Sequence, residues 1–363
     1  MKTTLWKETQ TLTECRQNLD MSHLVATVSR RFRSICAAMF SWLVFAALAS
    51  PSALADIGRP VEGEGPTRVH VTIFVLDVDE INSQSQSFDA NVYLEFRWRD
   101  RRLTHSGPNE VARSKHEVWH PRIQLINQQK VWPTFPEIVE IAPDGAVVYR
   151  QRVWGSFSQP LELRDFPFDR HVFKIQLAAF GYTPDEVELV LDPDSVSGIV
   201  SHPSVADWEI LGWKVEPGPF EPAPGEQAIS GFTFSFEADR QTGYFIVKVG
   251  IPLVFIVAMS WVVFWMDPAE AGAQIGVAIT TMLTLIAYRF AIGTNVPKVS
   301  YLTRLDYFIL LSTVLVFASL VEVVITSTLA RTEKLARARA MDRWARWLFP
   351  TAFVIVAVGT LIL

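Results

Sequence analysis

Between residues 56 and 240, apolar and polar positions alternate with a period of two. The clearest runs are 69–75, 91–98, 146–149, 171–177, 186–191, 208–215 and 231–237. Alternation of this kind sends successive side chains to opposite faces, as a half-buried strand requires. Pro143-Asp144-Gly145 and Pro217-Gly218-Pro219 are read as turns between runs. With no competing helical period, many short punctuated strands predict an all-β immunoglobulin-like sandwich over 56–241. From 242 to 363 the pattern changes to four continuous apolar runs, at about 244–266, 274–292, 303–329 and 345–363. Each is long enough to cross a hydrocarbon core of about 30 Å as a helix. In lipid a backbone must satisfy its own hydrogen bonds, so the expectation is a four-helix transmembrane bundle. Pro252 inside the first run removes a helical donor and predicts a kink.

The first 55 residues have a different character. Arg30, Arg31 and Arg33 precede an apolar stretch at 35–49, and Ala53-Leu54-Ala55 fits a small-x-small cleavage site. This is an N-terminal extension plus signal peptide, with a mature start near Asp56 and Met21 as the initiator; a short retained anchor is the alternative. Both cysteines, Cys15 and Cys36, fall in that segment. The rest of the chain can therefore hold no disulfide, thiol nucleophile or cysteine-bound metal. His105, His116, His120 and His171 lack ligand spacing, so no metal and no cofactor is expected. No nucleophile-elbow, zinc or phosphate-loop motif supports an enzyme. A net charge of -5 gives no case for nucleic acid as a partner. Arg331, Lys334, Arg337, Arg339, Arg343 and Arg346 cluster between the third and fourth runs against Glu333 and Asp342. That basic excess places the segment in the cytoplasm. With a cleaved signal, the β domain then lies on the periplasmic or extracellular side of the cell inner membrane.

In the second run, Gly276, Thr280, Leu283, Ala287, Phe290 and Thr294 recur at spacings of four and three, which puts them on one helix face. Several copies around an axis would give a narrow polar throat and an apolar constriction able to gate by dewetting. Close helix packing against small residues explains the same periodicity. Periodicity alone leaves both open.

Thr280-Thr281-Met282-Leu283-Thr284-Leu285, followed by Asn295-Val296-Pro297-Lys298-Val299-Ser300-Tyr301, resembles the second membrane helix and next loop of pentameric ligand-gated ion channels. This is the superfamily of acetylcholine, glycine and GABA receptors. Gln159-Pro160-Leu161 through Phe166-Pro167-Phe168-Asp169 resembles the family's signature loop. Animal receptors close that loop with a disulfide; the matching positions here are Gln159 and Phe173. The missing cysteines, the missing N-terminal helix and the short third loop resemble the prokaryotic branch.

The resemblance implies a homopentamer in membrane lipid, with the second helix of each subunit around an axial pore for permeant ions. It makes Leu283 the gate, with Thr280 and Gly276 below it and Ala287, Phe290 and Thr294 above. Glu270, Gly272, Ala273 and Gln274 would form the selectivity mouth. Glu270 as a displaced acidic ring implies cations; Pro268-Ala269 loosely resembles the anionic pattern and keeps an anion channel as the alternative. The agonist, a small amine or a proton, would bind between subunits. Phe180, in Phe180-Gly181-Tyr182, would lie on the principal face, Phe220 in the capping loop and Tyr93 on the complementary face, with Ile126 at another position where amine-binding members carry an aromatic. Trp98 and Trp119 are expected in the core. Asp169 and Arg240 match a salt bridge that couples the domains. With them, Asp79, Pro167, Phe168, Pro297 and Lys298 would transmit the signal, the loop at 79–84 pressing on Pro297 and Lys298. Glu322 within the third run is costly in lipid and should face the bundle interior or water. A non-conducting membrane receptor is the remaining alternative.

Overall fold

Of twelve strands among the described residues, seven form where the alternation predicts them and five short ones are not revealed by it. The computed structural model of the protein describes residues 58–61, 65–293 and 296–361; the expected signal peptide, both cysteines, Thr294 and Asn295 lie outside them. The larger sheet runs β10 (Gly198–Ile199), β1 (Thr67–Asn82), β2 (Ser87–Arg99), β7 (Ala146–Ser158), β6 (Ile138–Ile141), β3 (Val111–Ser114). β5 (Gln128–Pro133) also pairs with β7, and β9 (Val187–Leu191) with β1. The smaller sheet runs β11 (Trp208–Phe220), β12 (Ile229–Arg240), β8 (Arg170–Ala179), β4 (Ile123–Leu125). Inward residues of the two sheets meet in one core. Val69, Val71, Ile73 and Val75 of β1 are fully buried, as are Phe88, Phe157 and Phe173. Trp98 and Trp119 are buried as well. Phe88 packs on Phe157 and Phe173 with ring centroids 5.3 and 5.4 Å apart, and Phe173 stacks on Phe236 at 5.1 Å. An aromatic thus fills the position where a disulfide half is expected in animal receptors. The partner position stays close, because Gln159 Oε1 accepts the Lys174 amide at 3.2 Å.

One expectation fails instructively. Pro217-Gly218-Pro219 is not a turn but part of β11, with Pro217, Gly218 and Pro219 opposite Phe232, Gly231 and Ser230. β11 is the edge of its sheet, where missing N–H donors can face solvent, so proline is tolerated. The short strands β3 to β6 and β10 are too brief or too exposed to show alternation.

Four helices follow, each long and apolar enough to cross a membrane: α1 (Gly243–Trp265), α2 (Ala271–Ile292), α3 (Arg304–Arg331) and α4 (Leu335–Leu361). α1 does not simply break at Pro252. Its turn Ile246–Gly250 is a π-helix, and the wider turn accommodates the lost donor. α3 starts with a capping box, in which Thr303 Oγ1 accepts the Asp306 amide at 3.1 Å and Asp306 accepts the Thr303 amide at 3.0 Å. α4 begins ten residues before its apolar run, so the basic segment is mostly helix, not loop. The apolar run could not show this, because the first turns of α4 are amphipathic. Ala338, Asp342, Ala345, Phe349 and Phe353 face inward at helical spacing while Arg337, Arg339 and Arg343 stay exposed. Val263, Phe264, Ala278, Val323, Ala345 and Phe349 form the bundle core. A third or less of each helix is buried within the chain, and Phe255, Phe290 and Trp344 are 69%, 80% and 80% exposed. That much apolar surface requires cover from lipid or from further copies.

Candidate functional site

The segment ahead of β8 docks the β domain onto the helices. Phe166 is buried, and its ring meets that of Phe245, in the first turn of α1, at 4.7 Å. The Leu163 amide donates to Tyr301 Oη at 2.8 Å, and the Arg304 amide to the Arg164 carbonyl at 2.9 Å. Arg304 Nε also reaches Asp165 at 2.7 Å. Beside this lies the pair expected from sequence. Arg240, at the end of β12, grips Asp169 with Nε and Nη2 at 2.8 and 3.0 Å, and both side chains are buried. Three further groups complete it, none evident from sequence spacing. His171 Nε2 lies 2.8 Å from Asp169, Ser83 Oγ accepts from Arg240 at 2.9 Å, and the guanidinium sits 4.2 Å from the Trp208 ring centroid. Burial pushes the Asp169 carboxyl up, but hydrogen bonds from His171 and Arg240 and the Arg240 charge outweigh it and hold it below the usual range. Pro167 is buried and Phe168 is exposed. Pro297 is half-buried and Lys298 exposed, while Asp79 lies within β1 and accepts Trp154 Nε1 at 2.8 Å from β7.

On α2, Gly276, Thr280, Leu283, Ala287 and Phe290 share the face that the subunit leaves exposed; Leu283 is 61% accessible. Thr280 Oγ1 donates back to the Gly276 carbonyl and Thr284 Oγ1 to that of Thr280, each at 2.8 Å. The opposite face, with Ala278, Thr281 and Leu285, is buried in the bundle. Gln274 departs from its expected place at the mouth. It is fully buried, and its Nε2 donates to the carbonyls of Val263 and Met266 at 3.1 and 3.3 Å. It faces inward because it shares a helix face with Ala278 and Thr281, not with Gly276. Glu270 stands just ahead of the first turn of α2, without a capping hydrogen bond from its side chain, and is exposed with Gly272 and Ala273. A carboxylate there suits the positive end of the helix dipole.

The ligand candidates split between the two sheets. Phe180 lines a cavity of about 580 Å³ together with Trp98, Lys115, His120, Arg122 and Tyr149. Tyr182 is turned toward Trp119, whose Nε1 donates to its hydroxyl at 2.8 Å, and Arg122 lies over its ring at 5.7 Å. Arg122 holds φ at 49°, an uncommon backbone for a side chain of its size. Burial, reinforced by the charges of Lys115, His116 and Arg122, holds the His120 imidazole down to about 4, so it is neutral at physiological pH. Ile126 is half-buried and its amide donates to the Gln176 carbonyl at 2.8 Å. Phe220 lies at the end of β11 beside a smaller recess bounded by β8 and β12. Tyr93 is elsewhere, on the outer face of β2. Its hydroxyl donates to Glu95 at 2.9 Å, and Glu95 also accepts from Arg97 at 2.8 Å and Arg150 at 2.7 Å. Within one subunit these residues form no single site; Tyr93 sits on the larger sheet, Phe220 on the smaller.

Two family models match the chain. The neurotransmitter-gated ion-channel ligand binding domain matches residues 52–212, and the neurotransmitter-gated ion-channel transmembrane region matches 249–336. Together they take in more than two thirds of the chain. Among curated proteins, the chain is similar to a proton-gated ion channel of Gloeobacter violaceus, with 25% identity over 303 residues, covering 82% of this chain and 84% of that protein. It is also similar to the gamma-aminobutyric acid receptor subunit alpha-2 of Rattus norvegicus, with 27% identity over 275 residues. That match covers 73% of this chain but only 60% of the receptor subunit. The human subunit is 26% identical over the same length.

Proposed function

The chain belongs to the neurotransmitter-gated ion-channel family, a family of multi-pass membrane ligand-gated channels, and on that premise we propose that it is an agonist-gated channel built from five copies. The α2 helices surround the pore, with Leu283 as the apolar gate and Phe290 narrowing the outer mouth. The observation that carries this reading is the α2 face itself. Five residues at helical spacing, mostly small or apolar, stay exposed on a helix whose other side is packed. Rings of such residues replace no hydration shell and so bar ions when narrow. Glu270, exposed at the opposite end of α2, supplies an acidic ring that favours cations; anion conduction is the alternative. The β domain lies outside the cell inner membrane, and the Phe166 and Asp169–Arg240 junction carries its movement to α1 and α3.

Protons are the first agonist to test, since a similar protein is a proton-gated channel. A simple amine is less suited, because the cavity beside Phe180 carries Lys115 and Arg122. A small molecule with a carboxylate that pairs with Arg122 is the second reading, favoured by that same charge. The test is current from oocytes expressing the full chain, with external pH stepped from about 8 to about 4, then small amines and carboxylates at neutral pH. Reversal potentials in ion-substituted baths give the ion sign. Current that Leu283→Ala shifts toward spontaneous opening is the expected result. Surface-confirmed protein silent under every stimulus, in wild type and Leu283→Ala alike, would overturn the channel in favour of a non-conducting receptor.

A further inference from the structure

A group of polar side chains at the end of the bundle away from the β domain has no part in this reading. α3 starts against Arg164, so Glu322 lies about 27 Å further down the bundle at the rise of a helix. That is close to the far boundary of a hydrocarbon core about 30 Å thick. Asp342 is in the second turn or so of α4 and Gln274 in the first of α2, which brings both to the same level. The Glu322 and Asp342 carboxyls face each other, and the Gln274 side chain lies beside Asp342. Asp342 is 1% exposed and Gln274 is fully buried.

The four carboxyl oxygens of Glu322 and Asp342 are all buried without a donor. Gln274 is an independent pointer to what is missing. Its Nε2 is committed to the Val263 and Met266 carbonyls, and its Oε1 is a fifth buried acceptor with no donor. An ionised carboxylate offers only acceptors, and two facing each other in a low dielectric repel strongly. A proton converts the pair into a donor and an acceptor, and a second proton would donate to Gln274 Oε1. The neighbouring charges do not supply the donors. On α4, Arg346 gives Nε to the Phe264 carbonyl at 2.8 Å and lies over Trp265, and Arg339 pairs with Asp267 of the α1–α2 turn at 2.9 Å. Arg346 attracts charge on Asp342 and Asp267 repels it, so the two oppose each other. Beside the group lies the apolar layer of Val263, Phe264, Ala278, Val323 and Ala345.

We propose that Glu322, Asp342 and Gln274 form a proton-binding site that ties α2 to α3 and α4 at the far end of the bundle. With the proton in place the three helices share one hydrogen-bonded junction. Without it, facing carboxylates push α4 from α3 and release Gln274 of α2. The site does not depend on which ions or agonists the protein handles.

Infrared spectroscopy of the purified full chain in lipid nanodiscs tests this. Near neutral pH the wild type should show a protonated-carboxyl C=O band that shifts in heavy water and disappears on alkaline titration. Glu322→Gln and Asp342→Asn should each lose it. The double variant Glu322→Gln/Asp342→Asn supplies amide donors in place of the proton and decides the matter should a single variant fail to assemble. The wild-type melting midpoint should fall in alkali while that of the double variant stays flat. A wild type without the band, or a band unchanged in the double variant, overturns the site. A protein that never conducts would leave the band untouched, so failure of the channel reading is told apart from failure of this one.

Discussion

Asp169 and Arg240 form a buried pair where the β domain meets the helices, the place at which the proposed channel would pass its signal. The pair is buried and doubly hydrogen-bonded, so removing one partner strands the other charge. Asp169→Asn or Arg240→Ala should cost about 3–5 kcal/mol in chemical denaturation of the full chain. Because the folded carboxyl sits below its ordinary value of 3.8, its contribution is complete above that pH and is lost as pH falls further. Asp169→Asn should remove this acid limb from the melting curve. His120 works in a higher window. Its folded value of about 4 lies below the ordinary imidazole value of 6.5, so neutral His120 contributes fully above pH 6.5 and loses its contribution as pH falls toward 4. The loss is at most about 3 kcal/mol, and His120→Gln should flatten melting over that interval. Sequence spacing brought Asp169 and Arg240 together only through a family pattern. Ser83, His171 and Trp208 joined them through strands that are far apart along the chain.

At the scale of single elements, α2 separates two kinds of residue. Leu283→Ala trims an exposed side chain and should change stability by less than about 0.5 kcal/mol, while shifting the current toward opening without agonist. Leu285→Ala, the same truncation two residues further on but at a fully buried position, should cost about 2–5 kcal/mol in melting or denaturation of the full chain. α4 and β11 show where element boundaries elude a hydropathy reading. Charged first turns hid the start of α4, and Pro217-Gly218-Pro219 masked the continuation of β11. In both cases the residues are polar or turn-forming by type, and tertiary position overrides that preference. An edge strand tolerates proline, and an amphipathic helix start needs only one apolar face.

At the scale of the whole molecule, one subunit is incomplete by its own surface. Each membrane helix buries a third or less of itself within the chain, and the ligand candidates divide between two outer faces. Native mass spectrometry of the detergent-solubilised full chain should give five copies. Phe290→Ala should raise single-channel current, because an 80% exposed ring in each of five subunits would narrow the outer mouth. A smaller assembly would leave the α2 faces without an axis to surround.

The sequence by itself determined the class of each half. Period two can be satisfied only by a sheet with one buried face, and long apolar runs only by helices in lipid. It also grouped the α2 stripe on one helix face, since sharing a face is a matter of local spacing. What only the tertiary structure decided were encounters between distant segments: Phe166 on Phe245, Tyr301 on Leu163, Phe173 in the aromatic core, and Glu322 against Asp342. Gln274 is the clearest case. The family resemblance put it at the mouth, but the two residues that separate it from Gly276 turn it to the opposite side of the helix and into the bundle. Spacing along a helix tells which residues share a face; only packing tells which face is buried and what it meets.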